Sequence, residues 1–314
     1  MLPDFVEALG DDLYTIDTGF VRPRFDAAYL IVDRGRAAFV DTGTNHAVPR
    51  LLAALAALGL TTEAVDWVIP THVHLDHAGG AGLLMRSLPR ARMAVHPRGS
   101  RHMIDPGALR AGAAAVYGED EMARSYGVPV GVDPARVVAT ADGMALTLGA
   151  RVLEFIDTPG HARHHHCIWD QRTRTWFTGD TFGLGYPELA NENGRWVTPT
   201  SAPVQFDPEP LKASVARLLA REPAALCVTH FGRVPAAPHL GPLLLGQIDE
   251  MAAIGERLRR AEDRHARLCD ALRAMYRQRL AEHGFGELDD KLALLADDVE
   301  INAQGMASWL DRRP

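Results

Sequence analysis

Lysine is nearly missing: Lys212 and Lys291 are the only two, so almost all of the 33 basic residues are arginine. Cysteine is scarce as well. Cys167, Cys227 and Cys269 are widely spaced, odd in number and never arranged as C-x-x-C. That argues against a disulfide framework and against a zinc site built from cysteine pairs. No apolar run is long; Leu51 to Leu60 is about half of what a bilayer span needs. The first residues, Met-Leu-Pro-Asp-Phe-Val-Glu, have neither the basic region nor the apolar stretch of a signal peptide. A soluble, cytoplasmic protein with no membrane partner is the expectation. Positive charge is not in excess either. With 33 Lys+Arg against 40 Asp+Glu the net charge is −7, which argues against nucleic acid as a partner. Repeats and low-complexity linkers are absent. At 314 residues, 47% hydrophobic and 23% charged, the chain has room for one large domain and an appendage.

Histidine is what the chain has in plenty, 14 in all and unevenly placed. The apolar runs Ala28–Val32 and Ala37–Val40 read as strands joined by the turn Asp33-Arg-Gly-Arg36. Residues 46–59 read as an Ala/Leu helix stopping at Gly59. Further strands are expected at 65–69, 91–95, 152–156, 167–169, 175–177 and 225–228, with a helix at 209–221. Residues 97–135, rich in Gly and Pro, read as irregular, a functional loop or small subdomain, and residues 183–208, with four prolines, as irregular again. Beyond Pro238, Leu244, Ile248, Met251, Ile254, Leu258, Leu268, Leu272, Met275 and Leu280 trace a helical apolar face, and residues 287–311 another helix. The opposite face of that tail mixes Arg with Asp and Glu, as a solvated surface does.

The chemistry is concentrated in His72-Val-His74-Leu-Asp76-His77, four metal-ligand types within six residues, directly after an apolar strand. In extended chain, residues two apart point the same way, so His72 and His74 can converge on one ion. Asp76 and His77 follow as the chain turns and can face a second ion beside it. Three more candidates, His161, Asp180 and His230, each lie just past an apolar strand. Strand ends that all deliver ligand-type residues describe one rim of a sheet. Imidazole and carboxylate suit Zn, Fe or Mn, so the donors do not choose among them.

This run of H-x-H-x-D-H followed by Gly-His, Gly-Asp and Thr-His resembles the metallo-β-lactamase superfamily over about residues 10–235. The resemblance implies an α+β, four-layer αββα sandwich with a C-terminal helical extension. Residues 1–238 would be the metallohydrolase domain, and 239–314 helices packed on or capping it. It also implies two divalent ions, zinc first, with Fe or Mn also possible. His72, His74 and His161 would hold one, Asp76, His77 and His230 the other, and Asp180 would bridge them. Thr158-Pro-Gly-His161-Ala-Arg-His-His165-His-Cys167 and Val40-Asp-Thr-Gly43 are similar to glyoxalase II-like members. The segment His96–Asp105 looks like a little-characterised branch of the same superfamily. Arg163-His164 departs from the glyoxalase II loop, no Asn-Pro-Phe-Leu-Arg run occurs, and Gly183 stands where acyl-homoserine lactonases carry Tyr.

The activity implied is that of a binuclear hydrolase. A metal-bridging hydroxide would attack a small ester, thioester or lactone, and Asp76 would shuttle its proton. Asp41 and His165 are candidates to orient the ligands. Loops 97–126 and 182–206 are expected to frame the substrate pocket, with Arg98, His102, Tyr117, Phe182, Tyr186 and Arg233 as candidates within reach of that rim. Two other readings stand beside this one. One is a mononuclear iron persulfide dioxygenase-like oxidoreductase at His72, His161 and Asp180, mildly favoured by the short interval between the last two. The other is a metal-containing, non-catalytic ligand-binding member. The partner expected is a small-molecule substrate, with a homodimer through the helical tail as a further possibility.

Overall fold

The computed structural model describes residues 1–313, apart from the side chains of residues 115–117 and 121. Seven strands form a first sheet in sequence order: β1 (Val6–Gly10), β2 (Leu13–Asp17), β3 (Ala27–Asp33), β4 (Arg36–Val40), β5 (Val65–Ile69), β6 (Arg92–Val95) and β7 (Val137–Ala139). It is antiparallel from β1 to β4 and parallel from β4 to β7. Continuing along the chain, β8 (Ala145–Leu148), β9 (Arg151–Asp157), β10 (His166–Asp170) and β11 (Thr175–Gly179) belong to a second sheet. A two-stranded hairpin, β12 (Ala190–Asn191) and β13 (Gly194–Arg195), precedes β14 (Ala225–Val228) and β15 (Gly232–Pro235). The second sheet runs β15-β14-β11-β10-β9-β8.

The side chains of the first sheet show why it is sandwiched. Along β3, Ala28 and Leu30 enter a core with α1 (Val48–Ala57), while Ala27, Tyr29 and Ile31 enter a second core. That second core also holds Leu153, Phe155, Ile168, Phe177 and Cys227 from the other sheet. On β4, Ala37 and Phe39 alternate with Ala38 and Val40 in the same way. Strict period-two alternation with both faces apolar is what a strand needs when one face meets helices and the other a sheet. The β3–β4 turn places Arg34 and Gly35 at positive φ, 50° and 73°, as a two-residue hairpin requires. Arg151 and Asp170, both fully buried, pair at 2.7 Å between β9 and β10.

After α2 (Leu75–Ala78) and α3 (Ala81–Ser87), residues 97–125 hold three helices where a loop was expected: α4 (Pro97–Ile104), α5 (Gly107–Tyr117) and α6 (Glu119–Ser125). The prolines that suggested irregular chain sit at helix starts. Pro97 is the first residue of α4 and Pro106 the cap of α5, positions where a missing N–H costs nothing. Residues 183–208 remain largely irregular, as expected. After α7 (Pro208–Leu219), the tail consists of α8 (Leu240–Leu258), α9 (Arg264–Glu282), α10 (Leu288–Leu294) and α11 (Ala296–Asp311).

The chain divides into two compact units. Residues 1–157, 164–179 and 224–233 form the first, which contains the first sheet and β8, β9, β10, β11 and β14 of the second. Residues 158–163, 180–223 and 234–314 form the second. Inside the second unit the buried Asn302 accepts from Ser201 N and Oγ, at 2.5 and 3.0 Å, and donates to Tyr276 Oη at 2.8 Å. Among the described residues no helix is long and apolar enough to cross a membrane.

Candidate metal centre

β4 and β5 end side by side at Val40 and Ile69, and the next residues of both carry the site. Asp41, buried and at φ 55°, is its anchor in the first unit. It accepts from Thr71 N at 2.7 Å, from Thr71 Oγ1 at 3.0 Å, from Thr229 Oγ1 at 2.8 Å and from His77 Nδ1 at 2.9 Å. Thr71 and Thr229 each immediately precede a histidine, at the ends of β5 and β14. They thus tie both strand ends to one carboxylate. Their importance was not foreseen from sequence; the only trace was the repeated Thr-His pair.

Five ligand-type residues converge in this unit. His72 Nε2 and His74 Nδ1 lie 2.8 Å apart, and the His72 ring is 4.0 Å from that of His77. Asp76 Oδ2 lies 3.6 Å from His77 Nε2 and 3.5 Å from His230 Nε2. The side chains of Asp76, His77 and His230 form one group able to hold a metal ion. His72 and His77 are completely buried, whereas Asp76 keeps 24% of its side-chain surface open.

In the second unit, His161 Nε2 lies 3.4 Å from Asp180 Oδ2, and both residues are buried. His161 Nδ1 donates to Thr200 O at 3.2 Å. His230 Nδ1 donates to Phe25 O at 3.2 Å. A single rule therefore covers three histidines. In His77, His161 and His230 Nδ1 lies on an oxygen, to which it can only donate, and Nε2 faces a carboxylate. With Nε2 unprotonated that placement sets two acceptor groups face to face, an arrangement a cation stabilises, and an oxygen at the other ring nitrogen is the customary pattern of metal-binding histidine. The donor set, imidazole nitrogens with carboxylate oxygens, is that of a divalent transition-metal site.

His165 is buried and stacks on His72 at 4.8 Å. His164 also packs against His72 and His74, at 6.1 and 5.5 Å between rings. His166 faces away: its Nε2 donates to Pro70 O at 2.9 Å and its Nδ1 accepts from Thr140 at 2.8 Å. Asp26, which sequence did not single out, is fully buried just before β3. Burial pushes its carboxyl up to about 7, against the opposing pull of His230 and His77.

The residues considered for substrate contact belong to both units. In the first unit Arg98 is exposed at the start of α4, and His102 lies beside Arg101 on the same helix. Arg233 donates to Leu9 O at 2.8 Å. In the second unit Phe182 is fully buried, and Tyr186 is buried with its hydroxyl 3.2 Å from Asp298 Oδ1. The Tyr117 side chain lies outside the described residues.

A family model described as the metallo-beta-lactamase superfamily matches residues 10–230. The metallo-beta-lactamase fold-containing protein ST1585 of Sulfurisphaera tokodaii is 26% identical over 227 residues, 71% of this chain and 79% of that protein. Its crystal structure is similar with a TM-score of 0.65 at 21% identity, over 94% of this chain and 97% of that one. The metallo-beta-lactamase family protein TTHA1429 of Thermus thermophilus gives a TM-score of 0.61 at 22% identity, over 97% and 94% of the two chains. An atrochrysone carboxyl ACP thioesterase of Aspergillus fumigatus is 28% identical over 154 residues, 49% of this chain and 38% of that protein. The structural likenesses show the fold: two facing sheets with helices and a helical C-terminal region.

Proposed function

The chain belongs to the metallo-beta-lactamase superfamily, and from that premise we propose that it is a binuclear metal-dependent hydrolase of a small ester, thioester or lactone. The observation that carries this is the shared orientation of His77, His161 and His230, each with Nδ1 on an oxygen and Nε2 turned toward a carboxylate. His72, His74 and His161 would hold one ion, Asp76, His77 and His230 the other, with Asp180 shared. Bound there, two divalent ions would supply Lewis acidity, lowering the pKa of a water and polarising an acyl carbonyl. Zinc suits the donors, and Fe or Mn is compatible with them.

The protein's own groups supply the rest. Asp41 and the carbonyls of Phe25 and Thr200 each take a hydrogen bond from Nδ1, which orients the imidazole and leaves Nε2 for a metal. His165, stacked on His72, fixes that ring's plane. Asp76 is the carboxylate with access to solvent, and it takes the proton to the leaving group. The likeness to a thioesterase supports an acyl substrate. The Thr158-Pro-Gly-His161 run keeps the glyoxalase II-like branch as the reading within the superfamily. We assign the hydrolase to residues 1–238 and treat 239–314 as its helical extension.

The deciding experiment combines metal quantification with a panel of thioesters, lactones and phosphodiesters. Two metals per chain with turnover of an acyl substrate is the expected result. One iron per chain, with oxygen consumed on a persulfide, would replace the hydrolase by an oxidoreductase. Asp76→Asn with metal content retained should lower kcat by about 10²–10⁴-fold, the range for removing a general acid–base group. Unchanged turnover in that variant would take the proton transfer away from Asp76.

A further inference from the structure

The helical tail holds a second cluster of metal-binding side chains, outside the stretch that carries the family resemblance. On α9, His265 and Cys269 are four residues apart, so both project from one face. Glu300, on the neighbouring α11, completes a His/Cys/Glu triad. His265 Nε2 lies 2.8 Å from Glu300 Oε1 and 3.7 Å from Cys269 Sγ, and Cys269 Sγ is 3.6 Å from Glu300 Oε2. For a tetrahedral zinc with bonds of about 2.0 Å to N and O and 2.3 Å to S, donor separations of roughly 3.3–3.6 Å are expected. The two sulfur distances, 3.7 and 3.6 Å, are at or within about 0.1 Å of that range, and the His–Glu pair must open by about half an ångström.

We propose that His265 Nε2, Cys269 Sγ and Glu300 bind a zinc ion that ties α9 to α11. Thiolate with imidazole selects zinc over the harder Mg²⁺ and Ca²⁺. Gln304 Nε2 donates to Glu300 Oε1 at 2.9 Å and holds the carboxylate in place. Cys269 is buried, whereas His265 and Glu300 are about half exposed at 47% and 49%. The thiolate is thereby shielded, and a fourth position is left on the solvent side for water. Without a cation, burial and the adjacent Glu300 push the thiol pKa up, so binding releases a proton and tightens as pH rises.

This site can be read independently of the candidate centre, whose donors are all nitrogen and oxygen. The test titrates the full-length protein with Co(II) and records the thiolate-to-cobalt charge-transfer band. The band should appear with one equivalent of bound cobalt, persist in His72→Ala and vanish in Cys269→Ser together with that equivalent. His265→Gln, an exposed change that keeps the fold, should weaken the band's cobalt affinity by at least tenfold. No band at saturating cobalt, or a band that survives Cys269→Ser, would overturn the proposal. Should Cys269→Ser fail to fold, unaltered affinity in His265→Gln overturns it as well.

Discussion

Replacing Asp41 by Asn removes one charge and one acceptor while keeping shape, and the consequences follow from its contacts. Asn tolerates the left-handed backbone at φ 55° as Asp does, so the main chain is not disturbed. The amide oxygen can still accept from Thr71 N and Oγ1. Its NH₂ must then stand where the carboxylate now accepts from Thr229 Oγ1 and His77 Nδ1. The threonine hydroxyl can turn and accept instead. The imidazole cannot, unless its proton moves to Nε2, the nitrogen that faces Asp76. One conflicted buried hydrogen bond should cost the metal-free protein about 1–3 kcal/mol. The moved proton strikes the ligand atom itself, so metal affinity should fall by about 10–100-fold. Chelator competition measures the affinity and thermal unfolding of the stripped protein measures the stability. A stability loss accompanied by less than about a threefold change in affinity would refute this account and leave Asp41 a turn-capping residue.

Two further outcomes concern groups beside the site. Burial, with His96 nearby, lowers His166 from 6.5 to about 3, so below pH 6.5 the unfolded chain binds a proton that the folded one refuses. Stability is then full above 6.5 and falls by about 1.4 kcal/mol per unit toward pH 3. Denaturant unfolding from pH 7 to 4 should show a shallower acid limb in His166→Gln, and parallel limbs would contradict the assignment. Gly179, at φ 47°, precedes Asp180, and a Cβ there would meet Thr71 Oγ1 at 2.5 Å and His165 Nε2 at 2.6 Å. Gly179→Ala should lower stability by about 2–4 kcal/mol through overpacking and a strained φ, read as a lowered denaturation midpoint; a midpoint within error of the parent would mean Thr71 and His165 yield freely.

Much of the fold was legible because strands advertise themselves by alternation, and β3, β4, β5, β9, β10, β11 and β14 lie where apolar runs predicted them. The misreadings have local causes. β1 and β2 carry polar residues on one face, so no run stands out. In residues 97–125 proline was read as a helix breaker, although at the first turn it is a helix starter. In the tail, Leu258 and Leu268 continue one apolar face, yet Asp263 takes a left-handed φ of 50° and divides the helix between them.

The site divides along a similar line. Ligand types are visible one at a time in sequence, and His72 to His77 are visible together because they are adjacent. What readies three of the histidines for a cation is the oxygen at each Nδ1, and that information lies elsewhere. For His77 it is Asp41, a side chain the Val-Asp-Thr-Gly turn could suggest. For His230 and His161 it is the main-chain carbonyls of Phe25 and Thr200, which any residue would supply. The same partition explains Thr71 and Thr229. Each is an ordinary strand-end threonine until the fold brings both to Asp41, 30 and 188 residues away in the chain. Sequence can therefore name the donors of such a centre, while the oxygens that orient them, one carboxylate and two main-chain carbonyls, are brought to them by the fold.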